Sequence, residues 1–182
     1  MEKPADTPQA VTRRRWLVGG VAAAATATGA TLAWMQRRGR ADPDPNAPLW
    51  DMRFDTLGAQ KLTMRQFAGR PLLLNFWATW CPPCIEEFPL LDAFYRQNSA
   101  NGWQVVGLAV DQAPAVEKFL RQNPVQFSIA LAGIQGIELS RSLGNLAGGL
   151  PFTVAFNAKA QPMQRKMGRL SEQDLQTWAA MH

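Results

Sequence analysis

The stretch that most constrains this chain is Trp80-Cys81-Pro82-Pro83-Cys84. Its cysteines are the only two in 182 residues, and two residues separate them. Directly before them, residues 71–78 centre on Leu72-Leu73-Leu74-Asn75-Phe76-Trp77, a nearly unbroken apolar run of the kind that marks a strand buried on both faces. Directly after them, Ile85, Phe88, Leu91 and Tyr95 recur near the helical period. A buried strand feeding straight into a helix commits the chain to an α/β fold. A Cys-x-x-Cys pair at that junction reads as redox chemistry. Two cysteines are too few for a disulfide-stapled scaffold.

The remaining elements follow in order. Trp50, Met52 and Phe54 alternate before the turn signal Asp55-Thr56-Leu57-Gly58, and Leu62 and Met64 alternate after it, which predicts a hairpin over 49–64. Thr63 is expected to cap a short helical turn over Arg65 to Ala68. The helix after the cysteines runs from about Cys84 to Asn98, with Asp92 facing water and Pro89 producing a kink. Val105 to Val110 is a second buried strand, Ala113 to Gln122 a helix, Phe127 to Leu131 a short strand and Gln135 to Leu143 a short helix. Phe152 to Phe156 pairs with Met163 to Met167. Ser171 caps a last helix with Asp174 at its third position, and Leu175, Trp178 and Ala179 form its inner face. This order predicts a three-layer α/β domain over 49–182. Gly133 to Gly136 and Gly144 to Gly149 lack the spacing and the following Lys-Ser/Thr of a nucleotide loop.

The net charge is accounted for by the first 40 residues. Lys3, Arg13, Arg14, Arg15, Arg37, Arg38 and Arg40 against Glu2 and Asp6 give 7 − 2 = +5 over the first 40 residues, equal to the +5 of the whole chain. The remainder, residues 41–182, carries 12 basic and 12 acidic residues, is neutral and gives no support for a nucleic-acid-binding surface. After a basic tail at 1–15, Trp16 to Met35 is 20 residues without a charge. At about 1.5 Å per residue that length matches the roughly 30 Å of a bilayer's hydrocarbon core, with Trp16 and Trp34 at its ends. The segment reads as a single membrane anchor or as a signal with a long apolar region, cleaved or not. Thr12-Arg13-Arg14-Arg15-Trp16-Leu17 is similar to a twin-arginine export signal, with Trp16 where Phe is usual. Either route places the domain outside the cytoplasm, where a thiol pair acts on exported proteins. Residues 36–48, rich in charge and proline, read as a tether.

At the pair itself, Cys81 lies at or just before the first helical turn, where an anion is favoured, and is the expected nucleophile. Cys84, three residues on and behind the wall of Trp80, is the expected resolving thiol. Pro82 and Pro83 supply neither charge nor N–H, which favours a reductant or isomerase over a strong oxidant. Glu87 is one helical step from Cys84, where its carboxylate can serve that thiol's proton. Glu86 and Glu87 on a solvated face that merely suits the helix start is the plainer reading. Pro151 begins a strand, as a turn residue or as a cis proline packed on the cysteines. Zinc lacks ligands, since His182 is the only histidine, and haem attachment fails because Ile85 follows Cys84. A Cys-His hydrolase fails for want of a histidine in the domain. A structural disulfide closing so short a loop gains little entropy.

Asn75-Phe76-Trp77-Ala78-Thr79-Trp80-Cys81-Pro82-Pro83-Cys84, followed by Glu87-Phe88-Pro89, resembles the membrane-anchored thioredoxin-like reductases of the TlpA/ResA/CcmG type. The similarity takes in Val105 to Asp111, Gly149-Leu150-Pro151-Phe152-Thr153 and Gly168-Arg169-Leu170-Ser171. The resemblance implies a thioredoxin-like fold with an N-terminal β-hairpin extension and a central insert. It places the active pair on Cys81 and Cys84, the active-site glutamate on Glu87 and the cis proline on Pro151. It implies a periplasmic domain on an inner-membrane anchor and no cofactor beyond the redox-active Cys81–Cys84 disulfide. It also implies electrons from a membrane thiol transporter and partners such as apocytochrome c or copper-site assembly proteins. Trp80, Pro82, Pro83, Leu150 and Phe152 are the expected substrate groove, with Phe152 as a large apolar ring beside it. Asn75 stands where cytoplasmic thioredoxins carry a buried aspartate, and 133–149 matches the family poorly. The alternatives are a periplasmic oxidant or isomerase, and a partner-binding or metallochaperone-like module without turnover.

Overall fold

The structure is a computed structural model that describes residues 47–58 and 60–181. The basic tail, the apolar segment at 16–35 and nearly all of the tether lie outside the described residues. Among the described residues no helix is long and apolar enough to cross a membrane.

Helix α1 (Ala47–Asp51) leads into strands β1 (Arg53–Asp55) and β2 (Lys61–Thr63), then a 3-10 turn at Met64–Phe67. Strand β3 (Leu72–Trp77) is followed by α2 (Pro82–Asn98), β4 (Gln104–Ala109), α3 (Ala113–Gln122), β5 (Ser128–Leu131) and α4 (Gln135–Ser142). The chain closes with β6 (Phe152–Phe156), β7 (Pro162–Met167) and α5 (Glu172–Ala179). The seven strands form one sheet in the order β2-β1-β5-β4-β3-β6-β7. β3, β4 and β5 run parallel, and β6, β7, β1 and β2 join antiparallel.

All six residues of β3 are buried, as its apolar run requires of a central strand. Their alternation divides the core. Leu72, Leu74 and Phe76 pack on one face with α1, the 3-10 turn, Val154, Phe156 and the flank of α4. Leu73 and Trp77 pack on the other with Cys84, Phe88 and Leu91 of α2, Val116 of α3, and Leu175 and Trp178 of α5. Gly107 of β4 leaves room for this second face: a Cβ there would lie 2.8 Å from Ile129 and 3.1 Å from the Trp77 indole. Ser171 and Asp174 form the full reciprocal capping box at the start of α5.

Four local expectations are corrected. The N-terminal hairpin is shorter, because Leu49 and Trp50 belong to α1. Both are buried, at 2 % and 6 % exposure, and neighbouring residues cannot share one face of a strand. The Trp50 ring meets Phe156 edge-on at 5.3 Å. Thr63 makes no side-chain capping bond to the 3-10 turn. Helix α2 begins at Pro82 rather than Cys84 and runs on through Pro89, whose ring is exposed. Asp92 does not face water. It is 8 % exposed, accepts from the Gln126 N–H at 2.6 Å and pairs with Arg96 at 3.3 Å. The stretch between α3 and β5 needs an acceptor for that N–H, and α2 provides it. Asp92→Ala leaves the donor unpaired and should lower stability by about 1–3 kcal/mol. Urea unfolding should show a lower midpoint at unchanged slope, whereas an unchanged midpoint would show that water replaces the carboxylate.

Candidate active site

The end of β3 delivers the chain into a turn held from two sides. The Cys81 N–H donates to Ala78 O at 3.3 Å. The Thr79 N–H and hydroxyl both donate to Asp111 Oδ2, at 2.8 and 2.6 Å, tying the turn to the end of β4. Sequence reasoning missed this clamp, although Asp111 closing an apolar strand was its visible signal. Cys81 then takes extended backbone angles as the N-cap of α2, with Pro82 and Pro83 in the first turn. Prolines are tolerated there because those N–H groups have no helical partner. The next two donors, the N–H groups of Cys84 and Ile85, both go to Cys81 O, at 3.0 and 3.2 Å. The first turn therefore keeps few backbone donors for a sulfur anion.

Cys81 and Cys84 are joined by a disulfide with an S–S distance of 2.07 Å. Cys81 keeps 5 % of its surface and Cys84 none. Trp80 is 64 % exposed, so it projects from the site rather than walling off Cys84, which is sealed by the core packed around α2.

Glu87 is 1 % exposed, which places it off any solvated face. Its Oε1 accepts from Asn75 Nδ2 at 2.7 Å and its Oε2 from the Leu170 N–H at 2.9 Å. Burial raises its pKa above 4.5, and the Leu170 and Asn75 hydrogen bonds and the charges of Arg169 and Lys166 offset part of that rise. Asn75 is buried because it shares a face with Leu73 and Trp77, and its Nδ2 also donates to Thr153 Oγ1 at 3.0 Å. Thr153 sits directly opposite Asn75 in the β3–β6 register, a pairing that no local pattern announces. Glu86, by contrast, is exposed and pairs with Arg169 in the loop between β7 and α5. Gly168, at φ +83°, opens that loop and lets it turn back over α2.

The Leu150–Pro151 bond is cis, Pro151 is buried, and its carbonyl accepts from the Gly168 N–H at 2.8 Å. Phe76 lies opposite Phe152, so Pro151 stands level with the end of β3, where the turn to Cys81 begins. Leu150 is half-buried and packs against the core that holds both cysteines, while Pro82 and Pro83 are exposed. Phe152 does not belong in the groove. It is 2 % exposed and packs on Phe76 at 6.0 Å in the opposite core, because strand alternation turns it away from α2. Among the described residues no group of three or more His, Cys, Asp or Glu is placed to hold a metal ion.

A reversible sulfur pair at the helix-forming end of such a sheet, with a buried carboxylate one helical step on, defines the class: a thiol:disulfide oxidoreductase of thioredoxin-like fold. The chain belongs to the Redoxin family, whose sequence profile matches residues 44–175. It is similar to the thiol-disulfide oxidoreductase ResA of Bacillus thuringiensis subsp. konkukian, with 27 % identity over 67 % of this chain and 69 % of that one. A thioredoxin-related protein from Neisseria meningitidis serogroup B is 27 % identical, with a TM-score of 0.63 over 70 % of this chain and 96 % of that one. A thioredoxin-family thiol:disulfide interchange protein from Chlorobium tepidum TLS is 24 % identical and shares the fold, with a TM-score of 0.64 over 79 % of this chain and 98 % of that one.

The raised pKa of Glu87 has a consequence for stability. The folded protein holds this proton more tightly than the unfolded chain, so the contribution is complete below about 4.5 and is lost as pH rises through the raised folded value. Glu87→Gln lacks it. The stability of the wild type relative to Glu87→Gln should therefore fall as pH rises out of the acid range, in denaturation series at stepped pH. A difference independent of pH would show that the carboxyl titrates normally.

Proposed function

We propose that this oxidoreductase acts outside the cytoplasm as a reductant of disulfides in exported partners, held at the inner membrane by residues 16–35. The observation that carries the reductant reading is the poverty of the α2 start in donors. Pro82 and Pro83 have no N–H, and the next two N–H groups are taken by Cys81 O. A strong oxidant needs its reduced form held by a well-stabilised thiolate, and this site offers the Cys81 sulfur little beyond the helix dipole.

The exchange runs in two displacements. The Cys81 thiolate attacks a partner disulfide, forms a mixed disulfide and expels one partner thiolate. The Cys84 thiolate then attacks the Cys81 sulfur, closes the Cys81–Cys84 disulfide and releases the second partner thiolate. The partner gains two electrons and, from the two cysteine thiols, two protons. Glu87 accepts the Cys84 proton as that thiol becomes a nucleophile, and cis-Pro151 with Leu150 and the exposed Trp80, Pro82 and Pro83 form the docking edge. Apocytochrome c or copper-site assembly proteins are the proposed partners, and a membrane thiol transporter is the proposed source of electrons.

Cys84→Ser in the full chain should accumulate partners disulfide-linked to Cys81 in the membrane fraction, and the further change Cys81→Ser should abolish the trap. Identification of the trapped partners reads out the substrate. The potential of the pair should lie toward the roughly −270 mV of thioredoxin. A value near the roughly −120 mV of a strong oxidant would replace the reductant with an oxidant. Stoichiometric partner binding without turnover would favour a binding module.

A further inference from the structure

Asn75 is the only polar residue in the run Leu72–Trp77 and is fully buried. Its amide nitrogen is committed twice, to Glu87 Oε1 and to Thr153 Oγ1. Its Oδ1 has no hydrogen-bond partner among the described residues. The other groups set against Glu87 are the Leu170 N–H and Arg169 of the β7–α5 loop and Lys166 of β7. Glu86, on the same helix, is paired with Arg169, and Asp174 of α5 is paired with Lys166. The Leu170 N–H, Arg169 and Lys166 give hydrogen bonds or positive charge only, and so favour the carboxylate. Asn75 alone carries both a donor and an acceptor.

Half a turn about its terminal torsion exchanges Nδ2 and Oδ1 with little change of shape. With Oδ1 forward, the amide accepts from a protonated Glu87 carboxyl and from the Thr153 hydroxyl, which serves as acceptor in one orientation and donor in the other. Oδ1 has no partner in the present orientation and loses no bond when the amide turns, so the proton on Glu87 selects the orientation.

We propose that Asn75 is a positioning residue whose side-chain amide turns over with the protonation of Glu87, with Thr153 bonded to it in both orientations. The buried carboxyl then takes and returns a proton while keeping its partner on β3. This rests on the reading of Glu87 as the group that serves Cys84.

The test is NMR of the oxidised full-length protein in detergent, following the Asn75 side-chain amide protons and the Glu87 carboxyl carbon against pH. Both should change with one midpoint, and the amide change should vanish in Glu87→Gln. Amide protons that keep a hydrogen-bonded shift throughout the Glu87 titration would overturn the inference, and this measurement needs no variant that might fail to fold. If the amide turns with Glu87 but disulfide-exchange rates have the same pH profile in wild type and Glu87→Gln, the inference stands and the role of Glu87 in exchange falls.

Discussion

The structure depends on a strand buried on both sides. Because β3 is covered front and back, each step along it assigns a side chain to one of two cores. Leu72, Leu74 and Phe76 consolidate the face away from the cysteines. Leu73, Asn75 and Trp77 line the face that receives α2, and the strand ends where Cys81 must begin the helix. A slip of one residue would exchange the faces and turn Asn75 away from Glu87. The buried carboxylate is therefore tied to the register of β3 with β4 and β6.

Glu87 in turn draws together parts of the chain far apart in sequence. It meets β3 through Asn75, β6 through Asn75 and Thr153, and the start of α5 through the Leu170 N–H. The loop carrying Leu170 is held by the Gly168 bond to the carbonyl of cis-Pro151 and leads into the Ser171–Asp174 capping box. Lys166 reaches the same box and, with Ser171, holds the Asp174 carboxyl down at about 2. The proline, the carboxylate and the last helix thus share one hydrogen-bonded framework behind the disulfide. A buried acid is costly unless it is bonded, and this framework supplies the bonds.

Much of this was legible beforehand because the signals were local. The apolar run of β3, the helical spacing after Cys84, the Ser171 cap and the paired strands around Asn157 to Ala160 each follow from neighbours within a few residues. The errors came where a distant group decided. Trp50 alternates with Met52 and Phe54 as a strand would, yet the space against Phe156 draws it into a helix. Asp92 looked like a solvated break in an apolar face, yet the Gln126 N–H needed an acceptor. Phe152 follows the cis proline and looked like part of the groove, yet its parity on β6 sends it into the opposite core.

The sequence by itself determined the α/β class, the redox pair and its place between strand and helix. These rest on composition, periodicity and a spacing of two residues, all of which act within one or two turns of chain. Only the tertiary structure decided that Glu87 is buried, that Asn75 and Thr153 are its neighbours and that Leu150–Pro151 is cis. Each of these depends on which strands pair and in what register, and that is set by burial across the whole sheet rather than by any one segment.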